Sequence, residues 1–230
     1  MNRKATQWGP KIGALAPLLM VSAIGCSTAV SPLESQTQPE PAASVPATAV
    51  ESAGSGGTQE LDAGGLEAGT RYVIENLGIS IRPDVAGWFA VLPQGGDAGL
   101  AREGVTVYLL APDTILAPDG TQIPAPVDPQ ALVDAVDATA IVDISASEPF
   151  EANGISGISA ELEASGGSAA APLLTTGSGE WGLADGEFQW IVIEIDGRPI
   201  VISVEQPDDP DIDAAWAIAG LLVESLEPAP

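Results

Sequence analysis

Residues 188–204, FQWIVIEIDGRPIVISV, decide the fold. Two runs rich in β-branched residues flank Asp196-Gly197, and Asp-Gly between alternating apolar residues is the signature of a two-residue type I′ turn. The stretch therefore reads as an antiparallel hairpin of 188–195 and 198–204. Ile191, Ile193 and Ile195 share one face of its first strand, with Trp190 and Val192 on the other, because successive side chains in a strand point to opposite sides. Both faces are apolar, so the hairpin belongs in the middle of a structure covered on two sides.

Beyond the hairpin, Gln206-Pro207-Asp208-Asp209-Pro210 interrupts the strand pattern. Ile212, Trp216, Ala219, Val223 and Leu226 then recur at spacings of four and three, which predicts a helix whose apolar stripe packs on the sheet. Upstream, strands are expected at 140–145 and 155–162. A helix should begin at Asp128-Pro129, with Asp as N-cap, Pro at the first position, and Leu132, Val133 and Val136 on one face. Ala111-Pro112-Asp113 and Ala117-Pro118-Asp119-Gly120 read as paired turns within a long loop over 111–127, and residues 165–179 as a Gly/Ser stretch. Earlier strands are expected at 105–110, 88–92 and, as one strand or a pair, 72–75 and 78–81.

This order predicts an α+β domain, an antiparallel sheet with helices packed on it, over 71–230; a mostly-β sandwich is the alternative. The segments LGISIRPDVAGWFAVLP, QWIVIEIDGRPIVISV and LLVESLEP together resemble the PsbP-like fold, which includes photosystem extrinsic proteins, Ran-binding nuclear proteins and LpqN-type bacterial lipoproteins. The resemblance implies an α/β/α sandwich that binds partners without catalysis. It brings no catalytic residues to carry over, and the 111–127 loop, the Gly/Ser stretch and the lack of lysine after the first residues depart from it.

The N-terminus reads as an export signal. Arg3, Lys4 and Lys11 precede a mostly apolar run over 12–24 that is too short to span a bilayer, where about 20 apolar residues are needed, and that contains Pro17. Ser22-Ala23-Ile24-Gly25-Cys26 resembles the lipobox of bacterial lipoproteins, with Ala23 where Leu is commoner. The resemblance implies cleavage of 1–25 and a diacylglycerol on Cys26, the chain's one cysteine. Each buried CH2 of such chains contributes about 0.8 kcal/mol, so two or three chains hold a protein to a membrane where one is marginal. In a cell with two membranes, Ser27 after the cysteine suggests the outer membrane; the expected location is extracytoplasmic, lipid-anchored to the cell membrane or the outer membrane. Residues 26–70 are dominated by Ser, Thr, Pro, Ala, Gly and Glu, and read as a disordered tether.

Composition narrows the chemistry. The chain has 32 acidic and 7 basic residues, no histidine and a net charge of −25, so it repels phosphate backbones and anionic headgroups, and neither nucleic acid nor nucleotide is an expected partner. After cleavage the remaining basic residues are Arg71, Arg82, Arg102 and Arg198. Without histidine or exported lysine, and with Cys26 lipidated, Ser-His-Asp, Cys-His and Ser-Lys machinery, Schiff bases and Cys/His zinc sites all fall away.

Carboxylate chemistry survives. Asp113-Thr114-Ile115 lacks the glycine an aspartic-protease site places third. Gly177-Ser178-Gly179-Glu180-Trp181-Gly182 has dinucleotide-fingerprint spacing but leads towards a hairpin rather than a helix, and reads as a turn. Asp208, Asp209, Asp211 and Asp213 gather hard oxygens of the kind calcium takes, without the glycine and distal glutamate of an EF-hand loop; capping of the last helix explains them more simply. No catalytic or cofactor-binding residue is assigned. The expected function is non-catalytic binding of another envelope component, protein or glycan, by a membrane-anchored acidic domain. A carboxylate-dependent glycan hydrolase and a calcium-stabilised structural module are the rivals.

Overall fold

The computed structural model describes residues 57–91, 97–164, 171–183, 186–205 and 212–230. In chain order the strands are β1 (Thr58–Glu60), β2 (Gly64–Gly65), β3 (Arg71–Ile74), β4 (Ile79–Ile81), β5 (Phe89–Val91), β6 (Ala98–Arg102), β7 (Val105–Leu110), β8 (Pro112–Leu116) and β9 (Gln122–Pro124). Helix α1 (Pro129–Asp137) precedes β10 (Val142–Ala152), β11 (Ile155–Ala164), β12 (Ala171–Thr176), β13 (Gly179–Leu183), β14 (Gly186–Ile195) and β15 (Arg198–Glu205). Helix α2 (Ile212–Glu224) and β16 (Glu227–Pro228) close the chain.

The hairpin at 188–204 lies at the centre, as its two apolar faces require. β14 and β15 pair antiparallel across Asp196-Gly197, whose φ values of 51° and 74° are those of a type I′ turn. They are the third and fourth strands of an eight-stranded antiparallel sheet, ordered β10-β11-β14-β15-β7-β6-β5-β2. Each face carries its own core. Ile191 and Ile193 join Leu100, Val107, Leu109, Ile200 and Ile202 on one face, where α2 supplies Ala215, Ala219, Leu222 and Val223. On the other face Trp190, Val192 and Val201 meet Leu132, Val133 and Val136 of α1. Removing one such side chain from water contributes about 1.5–3 kcal/mol, which makes these alternating strands the main source of fold stability.

Two four-stranded sheets extend the layers. One, β1-β3-β4-β16, adds Tyr72, Ile74, Ile79 and Ile81 to the α2-side core, and an Arg71–Glu227 ion pair joins β3 to β16. The other, β13-β12-β8-β9, adds Ile115, Leu173, Leu174 and Leu183 to the α1-side core. Strands thus predominate, with two α-helices among the described residues, one contacting β10, β11 and β14 and the other β7, β14 and β15. The α1 N-terminus follows the sequence reading: Asp128 accepts a hydrogen bond from the Ala131 amide at 2.8 Å and Pro129 is the first helical residue.

Four expectations change. The segment read as tether to residue 70 already folds from β1 onward, which pairs parallel with β3, and Leu61 and Leu66 are buried. Backbone pairing, which composition does not reveal, orders this segment. The loop expected over 111–127 contains the β8–β9 pair, closed at 117–121 by amide-to-carbonyl bonds between Ala117, Gly120 and Thr121. Two of its prolines stand where strands accept them, Pro112 opening β8 and Pro124 on the end strand β9. Part of the Gly/Ser stretch forms β12, and the glycine-rich turn runs into β13. Finally, the buried stripe of α2 is centred on Ala215, Ala219, Leu222 and Val223, so Ile212 and Trp216 pack at its flank, half-buried.

Candidate functional site

The end of the large sheet holds the most site-like relief. β10 is its end strand and joins β11 through Asn153-Gly154, with φ values of 46° and 83°. Asn153 Nδ2 donates to the carbonyl of Glu224 at 2.8 Å, which α2 leaves free at its C-terminus, and to that of Leu226 just beyond the helix at 3.1 Å. Between strand edge and helix lies a groove of about 420 Å³. Its floor follows the cross-strand row Glu148, Ser159 and Ile191, because Glu148 pairs with Ser159 and Ser159 with Ile191. Phe150 and Trp216, both half-buried, supply aromatic walls, Glu224 joins Glu148 in an acidic rim, and Glu151 adds to the outer edge of β10.

Electrostatically the groove is one-signed. Glu148, Glu151 and Glu224 are exposed, and among the described residues no basic one lines the groove. Glu224 also stands in the last turn of α2, which holds no basic residue. A helix C-terminus carries partial negative charge, so a carboxylate there is unfavourable by about 0.3–1 kcal/mol. The local arrangement therefore gathers negative potential without compensation from its own lining.

A second cluster lies on the opposite face. Trp190, Ser203 and Tyr108 occupy one cross-strand row, and Trp181 of β13 covers them, its ring centroid 5.8 Å from Trp190 and 6.2 Å from Tyr108. Trp190 Nε1 donates to Ser203 Oγ at 3.1 Å, and Ser203 donates to Glu205 Oε1 at 3.2 Å. Burial pushes the Glu205 carboxyl up to about 7, against a smaller lowering by Ser203. Tyr108 is also raised, first by burial and then by the Glu205 charge. Next to this cluster the buried Asp97 accepts from Thr176 Oγ1 at 2.6 Å and from the Ala111 amide at 3.2 Å.

A glycosidase pair sets one protonated and one ionised carboxyl on either side of a sugar. Here the acids along the open groove stand in solvent, whereas Glu205 lies on the other face with Ser203 as hydrogen-bond partner.

The sequence-derived candidates lie elsewhere or outside the described residues. Cys26, Asp208, Asp209 and Asp211 fall outside them, and Asp213 sits exposed in the first turn of α2. Asp113-Thr114-Ile115 is part of β8, where Thr114 Oγ1 shares a 2.6 Å hydrogen bond with Thr175 Oγ1. Sequence reasoning missed the groove because Glu148 and Glu151 come from one end of the chain's strand order and Trp216 and Glu224 from the last helix. The Asn153-Gly154 pair was its one local signal, since Asn-Gly marks a tight hairpin.

No family model matches the chain, and no curated protein matches it. Among solved structures, the solution structure of cyanobacterial PsbP (CyanoP) from Synechocystis sp. PCC 6803 is similar at 12% identity over 73% of this chain and 94% of that chain, with a TM-score of 0.37.

Proposed function

We propose that this chain is a lipid-anchored envelope protein whose mostly-β domain, of PsbP-like architecture, binds another envelope component, protein or glycan, without catalysis. The observation that carries this reading is the groove between β10 and α2, where Phe150 and Trp216 offer apolar contact area inside an acidic rim. Aromatic side chains supply large contact area at low entropic cost, and they dominate binding energetics when partly desolvated. The lipobox-like Ser22-Ala23-Ile24-Gly25-Cys26 after a short apolar run supports a location on a membrane surface outside the cytoplasm.

Two measurements test the proposal. Cys26→Ser should move the protein from the membrane to the soluble fraction, and unchanged membrane association would reject the anchor. Crosslinking in intact envelope should recover a reproducible component with the wild-type chain. Recovery should drop with Trp216→Ala, provided that variant keeps the wild-type unfolding midpoint. Equal recovery by both chains would rule the groove out as the binding site.

A further inference from the structure

We infer that the occupant of the β10–α2 groove is a basic segment of a partner protein, with an arginine or lysine side chain lying between Phe150 and Trp216. This rests on the reading of the groove as the binding site. Charge complementarity selects the occupant: Glu148 and Glu224 flank the groove, no basic residue among the described ones lines it, and the whole chain carries a net charge of −25. The aromatic walls select among cations. A guanidinium or ammonium gains from the negative face of an aromatic ring while its methylene stem covers apolar surface, which a small hydrated ion does not do.

Geometry argues the same way. Among the described residues no three acidic side chains stand close enough to hold one metal ion, so the groove glutamates are spread along the cleft rather than focused on a point. Spread carboxylates match cationic groups spaced along a chain. The main polar groups of the floor are also engaged already: Asn153 Nδ2 donates to two carbonyls of the α2 end, and Ser159 Oγ accepts from Gln189 Nε2 at 2.7 Å. Glu148 and Phe150 share the groove face of β10, and Glu224 and Trp216 lie on the helix side, so a segment lying along β10 meets carboxylates and rings together.

The test uses the full-length chain and a synthetic peptide alternating arginine and threonine, with a glutamine-for-arginine peptide as control. The arginine peptide should bind and the glutamine peptide should not. Because an acidic protein attracts any polycation, the deciding comparison is between two charge-matched variants. Glu148→Gln with Glu224→Gln should weaken binding about tenfold, from two exposed charge pairs lost. Asp62→Asn with Glu75→Gln, exposed acids outside the groove, should change it less than about twofold. All four residues are exposed, so each variant is expected to fold. Equal weakening in both variants, or equal binding of both peptides, overturns the inference. If Trp216→Ala abolishes capture of an envelope component while the arginine peptide does not bind, the groove remains the site and its basic occupant is rejected. If a glycan is that component, the inference is likewise rejected and the proposed function stands.

Discussion

Ser203 Oγ lies 3.2 Å from Glu205 Oε1 and donates to a carboxyl that burial has pushed up to about 7, from an ordinary value of 4.5. Stability therefore depends on pH in a definite direction. Below about pH 4.5 both the folded and the unfolded chain hold the proton, and the contribution is fully present. As pH rises towards 7 the unfolded chain has released the proton while the folded chain keeps it, so this residue's contribution falls. The shift corresponds to about 3 kcal/mol. Glu205→Gln should therefore gain on the wild type by up to that amount between about pH 5 and pH 8, measured by urea unfolding at each pH. A wild-type-to-variant difference that stays constant across that range would reject the assignment.

The hydroxyl of Thr176 serves a different acid. Its 2.6 Å bond to Asp97 Oδ2 is buried, and Asp97 has the Ala111 amide as its other donor. Thr176→Val keeps the shape and removes the donor, leaving a buried carboxylate partly unsatisfied at a cost of about 1.5–3 kcal/mol. Chemical denaturation should show a lower midpoint with an unchanged slope. A midpoint equal to wild type would mean that Asp97 finds its hydrogen bond elsewhere.

Asn153 combines two roles that one substitution separates. As the first residue of a type I′ turn it adopts φ 46°, and its side chain caps the end of α2. Asn153→Asp keeps a residue tolerant of positive φ but loses the amide donor, and adds a negative charge beside the C-terminal end of the helix. Asn153→Gly keeps the turn and loses only the cap. Both should destabilise by about 1–2 kcal/mol, the aspartate more, because it also opposes the helix dipole. If Asn153→Gly unfolds at the wild-type midpoint, the cap contributes nothing measurable.

Most of the central architecture was legible because it is written in short-range chemistry. The Asp196-Gly197 turn, the alternating Ile191, Ile193 and Ile195, and the Asp128-Pro129 helix start each report on neighbours within a few residues. What was not legible depends on partners far apart in the chain. β1 gains its backbone partner from β3, β8 and β12 complete each other across some sixty residues, and Trp216 is left at the flank of α2 by where the sheet lies beneath it. The groove is the extreme case. Its acids look like ordinary solvated surface in the sequence, and only the hairpin tip fastened to the helix end brings Glu148 and Glu224 to one cleft.

Residues 58–70 owe their order to the same long-range pairing. Leu61 is 4% and Leu66 is 5% exposed, both within a segment whose composition reads as tether. The Leu61 amide also donates to the Val73 carbonyl at 2.8 Å, and the Leu66 amide to the Trp88 carbonyl at 2.8 Å, so removing the segment strips apolar cover and backbone partners together. Leu61→Ala should cost about 2–4 kcal/mol, the range for emptying a buried leucine site. A chain begun at residue 57 should unfold at the wild-type midpoint, since it retains β1 and both leucines. A chain begun at residue 71 should lose more than Leu61→Ala does, because Tyr72 and Trp88 would then face water on the side those leucines cover. Equal midpoints for the two truncated chains would return residues 58–70 to the tether.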